Sequence, residues 1–375
     1  MAENILIVAG EPSGDNIAGP LVECVKEIKP RIEFWGFGGK AMALRGVEIL
    51  CDVSELAFMG FAEVIRHLPS SYRRLNELQR EAIERKPKGA ILIDYPGFNL
   101  KLAEKLAKQG IPVVFFVSPQ IWAWKYNRIH KIKKYVSKMI TILPFEAEIY
   151  RKEGIPVNYV GHPFVDMIKP TVKSIEFKQR YGIDGKLLLL LPGSRAQEVS
   201  RLIGPMLGAY QILSRENTSL KAIVARSSNV DIKLYDSAIA REGVTVATDI
   251  AMDAMFSADS AISCSGSATL QCMCAKLPHV ITYKTNYLSA SIYRSVVKTD
   301  YIGLTNLVAG YSVVPEVLLG DTTPANLAAA VRPWIFDGEA NSSKRQELES
   351  IRAKLGETGV FSRAAKEIVS TLFSE

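Results

Sequence analysis

The sequence lacks long apolar segments, clustered histidines and paired cysteine motifs. Its longest apolar runs, such as 111–117 and 187–191, are well short of the roughly 18 residues that a membrane-spanning helix needs. The four histidines are scattered, and the spacing of the five cysteines matches neither a zinc site nor a secreted disulfide framework. No Asp-x-Asp triplet is present to hold a cation against a diphosphate. We therefore expect reduced cysteines, no metal and no cofactor.

The start of the chain also lacks a basic region ahead of its first apolar run, which begins almost directly after Met1. A secretory signal would need such a region. Together with the absence of a membrane-spanning segment, this predicts a cytoplasmic protein.

Composition and charge narrow the class of protein further. The 375 residues are 48% hydrophobic and 23% charged, which excludes a disordered or collagen-like chain and predicts about two domains. The formal charge of +7 favours an anionic partner, and nucleic acid, nucleotide and acidic lipid all fit this charge.

Short apolar runs alternate with amphipathic stretches along most of the chain, which is typical of an α/β protein. The alternation lapses at 162–185, a polar segment with two prolines, and then begins again. We predict two doubly wound domains facing a cleft, an N-terminal domain at 1–165 and a C-terminal domain at 166–340. The charged segment 341–375 is predicted to be a helical tail that packs back on an N-terminal domain.

Ligands of doubly wound sheets bind beyond the carboxyl ends of the strands, so residues that follow each apolar run are the candidates for chemistry. After the first run comes the loop 10–15, where Ser13 or Asp15 could either cap a helix or bind a sugar hydroxyl. Asp94 ends another apolar run, just before a proline turn. There it could act as a general base or cap the next helix.

Two loops of the second domain combine a strand end, glycine and a helix start. They are Gly193-Ser194-Arg195 and Ser265-Gly266-Ser267. Helix N-termini with exposed N–H groups bind anions, and Arg195 adds a charge suited to a diphosphate. Two such loops in one domain indicate a nucleotide diphosphate, although ordinary helix caps would show the same pattern.

A third feature is aromatic and basic. Trp122 and Trp124 precede a run of basic residues without an acid before Glu146, namely Lys125, Arg128, Lys131, Lys133, Lys134 and Lys138. This pattern suits an anionic membrane surface or an amphiphilic substrate, and a nucleic-acid surface or a solvated helix face would fit it as well.

Several segments, in this order and at these distances, closely resemble the lipid-A-disaccharide synthase family over about residues 4–320. They are AGEPSGD, LAFMGFAEV, IDYPGFN, VSPQIWAW, LPFE, VGHP, LLPGSR, SGSATL and VKTDYIGLTNLVAG. The resemblance implies the two-domain GT-B fold and a metal-independent, inverting glycosyltransferase. Such an enzyme joins UDP-2,3-diacylglucosamine to 2,3-diacylglucosamine 1-phosphate at the inner face of the inner membrane.

The resemblance also implies roles for single residues. Asp94 becomes the base that deprotonates the acceptor hydroxyl. The residues expected at the acceptor are Ser13, Gly14, Asp15, Asn99, Trp122 and Trp124. Those expected at the UDP donor are Gly193, Ser194, Arg195, Glu198, Gly266, Ser267, Ala268, Gln271 and Asn306. Peripheral contact with an anionic membrane, no nucleic acid, and a homodimer that exchanges C-terminal segments are implied as well.

This chain departs from the family pattern at five positions. The family's second acid is replaced by Gly97, a threonine and an acid near the donor by Ser267 and Gln271, a proline by Thr305 and a glutamine by Leu319. Two alternatives therefore stay open at this point: another UDP-sugar transferase or epimerase of the same architecture, and a catalytically idle paralogue that binds nucleotide sugar or lipid.

Overall fold

The computed structural model describes residues 3–56, 64–285 and 300–373, so most of the segment LAFMGFAEV and the first residues of VKTDYIGLTNLVAG lie outside the described residues. The chain divides into two units. The first comprises 1–163 together with 356–375, and the second comprises 164–355.

The first unit contains a seven-stranded sheet in which every neighbouring pair is parallel, in the order β3-β2-β1-β4-β5-β6-β7. Its strands are β1 (Asn4–Ala9), β2 (Glu33–Gly38), β3 (Val47–Asp52), β4 (Gly89–Ile93), β5 (Val113–Phe116), β6 (Lys138–Thr141) and β7 (Val157–Tyr159). The helices between them are α1 (Pro12–Ile28), α2 (Lys40–Ala43), α3 (Val53–Leu56), α4 (Val64–Arg85), α5 (Pro96–Ala107), α6 (Arg128–Tyr135) and α7 (Glu146–Lys152). β4 and β5 are buried along their whole length, as expected of parallel strands covered on both faces.

The second unit repeats this design with six parallel strands in the order β10-β9-β8-β11-β12-β13. The strands are β8 (Leu187–Leu191), β9 (Lys221–Arg226), β10 (Val244–Thr248), β11 (Ser260–Cys264), β12 (His279–Tyr283) and β13 (Glu316–Leu318). Its helices are α8 (Phe164–Met167), α9 (Ser174–Arg180), α10 (Ala196–Glu216), α11 (Asp236–Ile239), α12 (Ala251–Ser257), α13 (Ser267–Cys274), α14 (Leu304–Ala309), α15 (Pro324–Phe336) and α16 (Gly338–Arg352).

The C-terminal segment is helical, but its contacts divide it between the two units. In α16, the buried Asn341 amide donates to the carbonyl of Asp259 at 2.7 Å, so this helix belongs to the second unit. The last helix, α17 (Val360–Leu372), packs on α1, and its Leu372 lies where a Cβ on Gly89 would fall 2.4 Å away. The predicted tail 341–375 therefore returns to the first unit only in its final part, because the apolar face of α17 is buried there.

Both sheets reverse their strand order once, between β1 and β4 in the first unit and between β8 and β11 in the second. At such a switch point the loops that follow the two strands diverge and leave a crevice at the carboxyl edge of the sheet. Four of the segments predicted to carry chemistry follow these strands, and the segment with Trp122 and Trp124 follows β5.

Candidate active site

The first switch point brings the loop after β1 against the loop after β4. Ala9 lies opposite Ile93 in the sheet, and the ring of Tyr95 covers Gly10. A Cβ on Gly10 would lie 2.1 Å from Tyr95 Cδ1, so this glycine is required by close approach. Residues about 85 positions apart in the sequence therefore form one site.

Asp94 sits in a strained turn at the end of β4. Asp94 and Tyr95 both have a φ of 47°, in the left-handed region that costs energy for residues other than glycine. The fully buried Asn99 holds this turn, because its amide donates to the carbonyls of Ile93 at 3.2 Å and Asp94 at 2.8 Å. Asn99 was expected at the acceptor, but its burial makes it a support for the turn that carries Asp94.

The surroundings of Asp94 raise the pKa of its carboxyl to about 6. Burial is the main cause, and the nearby Glu11 carboxylate adds to it, while Arg128 acts in the opposite direction. A carboxylate with a pKa just below neutrality is ionised at pH 7 and still basic enough to accept a proton. The arrangement therefore suits a general base.

The other residues of the loop 10–15 that were expected at the acceptor differ in their burial and hydrogen bonding. Asp15 is buried, and its carboxylate accepts hydrogen bonds from the N–H groups of Gly39 at 2.7 Å, Ala41 at 2.9 Å and Met42 at 3.2 Å. It caps α2 instead of presenting oxygens to a sugar. Gly14 is buried against Ala9, whereas Ser13 is exposed at the carboxyl edge of the sheet.

The segment after β5 carries both tryptophans of the aromatic and basic feature. The indole N–H of Trp122 donates to Glu146 Oε1 at 3.2 Å, and its ring meets the edge of Phe145 with centroids 5.1 Å apart. Trp124 lies beneath two cations. Lys125 Nζ is 4.4 Å and the Arg128 guanidinium carbon 5.1 Å from the centroid of its ring.

Glu146 belongs to this site although its role could not be foreseen from the motif LPFE. It is 1% exposed, and burial raises the pKa of its carboxyl to about 7. Its Oε2 accepts from the N–H of Leu143 at 3.2 Å, so Glu146 ties the tryptophan segment to the loop after β6. Arg128 was predicted only as a member of the basic run, and Glu11 was given no role. Only the fold brings these two charges near Asp94.

The basic run is less uniform in charge than its sequence suggests. Lys131 pairs with Glu104 at 3.1 Å, and Lys138 pairs with Glu367 of α17 at 3.3 Å. These partners come from distant parts of the chain, so the predicted one-sign surface is partly neutralised.

At the second switch point, Glu198 closes the loop after β8. Its Oε2 accepts from the N–H groups of Ser194 at 3.0 Å and Arg195 at 3.2 Å, and its Oε1 accepts from Arg195 Nη1 at 3.0 Å. Gly193 has a φ of 115°, and a Cβ there would collide with Glu198. The carboxylate thus occupies the N–H groups that were expected to bind a diphosphate, while the Arg195 side chain is 74% exposed.

The loop after β11 is more open. Gly266 and Ser267 are exposed, Ala268 is half-buried in the first turn of α13, and Gln271 is half-buried one turn later. A Cβ on Gly266 would meet nothing within 4 Å, which leaves space for a ligand to approach the backbone. These four residues remain available to a donor.

Asn306 is different, because it is fully buried and its amide is saturated. It donates to the Val314 carbonyl and to Glu316 Oε1, both at 2.9 Å, and accepts from the N–H groups of Val313 and Val314. The expected donor contact of Asn306 is thus replaced by a structural role.

Two positions that depart from the family pattern also lie in this unit. Thr305 is buried, with its hydroxyl 2.9 Å from the Thr269 carbonyl, and Leu319 has a left-handed φ of 54°.

The part of the chain that the structure describes contains neither a metal-ligand cluster nor a membrane-spanning helix. No group of three or more His, Cys, Asp or Glu side chains in this part of the chain is placed to hold a metal ion. None of the described helices combines the length and apolar character that crossing a bilayer requires.

Known proteins resemble this chain over nearly its whole length. The family model of Lipid-A-disaccharide synthetase matches residues 5–370. A lipid-A-disaccharide synthase of Myxococcus xanthus is 38% identical over 372 residues, which cover 98% of this chain and 97% of that protein.

Solved structures are similar in fold at low identity. A structure of S. aureus MnaA with UDP has a TM-score of 0.72 at 13% identity, covering 99% of this chain and 97% of that one. The calicheamicin glycosyltransferase CalG4 has a TM-score of 0.58 at 14% identity, covering 99% of both chains. The fold is therefore GT-B, as the resemblance implied. Because the family model and this relative both match nearly the whole length, the chain belongs to the lipid-A-disaccharide synthase family of glycosyltransferases.

Proposed function

We propose that this protein is an inverting, metal-independent glycosyltransferase of lipid A biosynthesis. It joins the glucosamine of UDP-2,3-diacylglucosamine to 2,3-diacylglucosamine 1-phosphate and releases UDP and the β-1,6-linked disaccharide 1-phosphate. Family membership supports the substrates. The observation that carries the chemistry is the partly buried Asp94 carboxylate, whose pKa is raised to about 6, at the first switch point.

In the proposed step, Asp94 accepts the proton of the acceptor hydroxyl. A lone pair of the deprotonated acceptor oxygen then attacks the anomeric carbon of the donor. The bond from that carbon to the diphosphate oxygen breaks, and UDP leaves with the electron pair of this bond. General-base assistance of this kind contributes about 10²- to 10⁴-fold to a rate. The strained turn supports this role because it fixes the direction of the carboxylate.

The second unit is proposed to bind the UDP. Arg195 and the open N-terminus of α13 supply positive charge for the leaving diphosphate, with Ser267, Ala268 and Gln271 beside it. The absence of an Asp-x-Asp triplet from the sequence is consistent with assigning this charge to the protein.

Peripheral contact with an anionic membrane at the inner face of the inner membrane is proposed through the segment 122–138. Half-buried indoles and basic residues favour such surfaces. The triple variant Trp122→Ala, Trp124→Ala, Lys131→Glu should lose sedimentation with phosphatidylglycerol vesicles at low salt. Unchanged sedimentation would place the membrane face elsewhere.

A homodimer with exchanged C-terminal segments is also proposed. In its favour, α17 is a separate amphipathic helix that follows Gly356 and Gly359, both with φ near 90°. Light scattering should give twice the mass of the chain, and a chain truncated before α17 should not. A monomer at all concentrations would contradict the proposal.

The test of function combines purified protein with both substrates and measures UDP and disaccharide together. Asp94→Asn should reduce turnover about 10²- to 10⁴-fold while leaving UDP affinity near wild type. Asparagine is a matched control for structure because it tolerates a left-handed φ and caps helices nearly as well as aspartate. UDP release without disaccharide, or full activity of Asp94→Asn, would overturn the proposal.

A further inference from the structure

Arg128 is placed between the proposed base and the tryptophan segment. It is the first residue of α6, its side chain is half-buried, and its guanidinium carbon lies 5.1 Å from the centroid of the Trp124 ring. Its charge and that of Asp94 act on each other: Arg128 lowers the pKa of Asp94, and Asp94 opposes the lowering of the pKa of Arg128 that burial causes.

The guanidinium of Arg128 makes no hydrogen bond or ion pair with any residue that the structure describes. In the same basic run, Lys131 pairs with Glu104 and Lys138 pairs with Glu367. Arg128 therefore differs from these two lysines in having no carboxylate partner among the described residues. A half-buried guanidinium carries five N–H donors and loses hydration without recovering those bonds. An anion that accepts them would offset this cost.

We propose that Arg128, held over the Trp124 ring, binds the phosphate of the acceptor sugar and so places the acceptor hydroxyl at Asp94. This inference rests on the proposed function and adds the residue that recognises the phosphorylated substrate. The planar fork of arginine fits two oxygens of a phosphomonoester, and the indole beneath it fixes the plane of the fork. Lys125, 4.4 Å from the same ring centroid, adds a second positive charge.

The charge arrangement favours a phosphomonoester. Asp94 alone leaves Arg128 only partly compensated, because no ion pair or hydrogen bond joins these two described residues. The Glu11 carboxylate lies near enough to Asp94 to raise its pKa, so a further negative charge beside Asp94 is disfavoured. A dianion approaching from the Trp124 side would pair with Arg128 without contacting Asp94. The same chemistry could be offered by the headgroup of an anionic lipid, so the experiment must separate these two sources.

The experiment is a binding cycle in detergent micelles without donor, so that it does not depend on turnover. The dissociation constants of 2,3-diacylglucosamine 1-phosphate and of its dephosphorylated form are measured for wild type, Arg128→Gln and Arg128→Lys. Lys133→Gln, an exposed change of the same charge in the same helix, is the matched control. Melting temperature reports whether each variant is folded.

For wild type and Lys133→Gln, removal of the phosphate should weaken binding about 10- to 100-fold. For Arg128→Gln the two ligands should bind within about threefold of each other, and Arg128→Lys should fall between, because it keeps the charge without the fork. UDP affinity should not change. Sedimentation with phosphatidylglycerol vesicles should fall no more for Arg128→Gln than for Lys133→Gln, because each removes one charge from the segment 122–138. A purely structural role of Arg128 would weaken both acceptor forms equally.

Two results would overturn the inference. One is discrimination in folded Arg128→Gln and Arg128→Lys that equals wild type. The other is loss of vesicle binding with discrimination intact, which would assign Arg128 to lipid headgroups. Failure of the proposed function would be seen separately, as absence of disaccharide from wild type supplied with both substrates.

Discussion

The indole N–H of Trp122 donates to the buried carboxylate of Glu146 across 3.2 Å, and this contact joins the loops after two neighbouring strands. Trp122 therefore depends on a residue 24 positions later for its orientation. Because Glu146 is buried, the contact is sensitive to its protonation state.

The pH dependence of stability should reveal Glu146. Its pKa is raised from 4.5 to about 7 in the folded protein, so between these values the native state binds more protons than the unfolded state. Its contribution to the free energy of unfolding thus falls as the pH rises from about 4.5 to about 7. The melting temperature of Glu146→Gln relative to wild type should rise across this interval. The exposed Glu84→Gln should show no such trend, and a constant difference for Glu146→Gln would contradict the assignment.

Glu11 should set the acid limb of the activity profile. Asp94 must be ionised to accept a proton, so kcat/KM should rise with pH through about 6. Glu11→Gln removes a negative charge that raises the pKa of Asp94, and the limb should move to lower pH. Glu27→Gln, an exposed change in α1, the helix that Glu11 precedes, should leave the limb in place. A limb that does not respond to Glu11→Gln would show that another group titrates.

Gly97→Asp should leave the melting temperature unchanged and should move the acid limb of the kcat/KM profile to higher pH. A Cβ on Gly97 meets nothing within 4 Å, and an acid in the first turn of α5 is favoured by about 0.3–1 kcal/mol. Its charge near Asp94 would raise the pKa of the base. Gly110 has equal space but a φ of 73°, so Gly110→Asp should lower the melting temperature. A comparable loss for Gly97→Asp would show that the turn requires glycine.

Arg195→Ala should weaken UDP binding by about three- to tenfold in calorimetry, because a charge-assisted contact is lost from an exposed side chain. Arg215→Ala, in the last turn of the same helix, should have no effect. An excess of chelator should leave wild-type turnover unchanged. Strict dependence of turnover on added magnesium would refute the proposal that the protein alone supplies the positive charge at the leaving diphosphate.

Gln271→Glu should tighten UDP binding modestly if this position reaches the ribose, since an ionised acceptor forms the stronger hydrogen bond. The half-buried position one turn into α13 leaves room for such a contact. Calorimetry with UDP measures it directly. Weaker or equal binding would mean that the donor site is built differently here from the family pattern.

The strands and their edges could be predicted from the sequence, whereas the partners of buried polar groups could not. Runs such as 187–191 are apolar throughout, so burial on both faces follows from composition alone. Asp15 and Asn306 look like ligand contacts because they occur in the right loops. Their hydrogen bonds to Gly39 and to Val314 depend on backbone positions that only the folded chain brings together.

The same limit applies to the site. Asp94 was found from its place after a strand, but its neighbours Glu11 and Arg128 come from loops that are adjacent only because β1, β4 and β5 are adjacent. Strand order is not encoded in periodicity, and it determines which charges act on the base.

The return of α17 to the first unit has a consequence for synthesis of the chain. The sheet of the first unit emerges from the ribosome before the second unit, yet the helix that covers α1 and Gly89 is made only after the roughly 200 residues of that second unit. At about 5–20 residues per second, this delay is on the order of 10–40 s. During it, the second unit can fold completely while the apolar surface that receives α17 remains uncovered. The order of completion is thus the reverse of the order of translation.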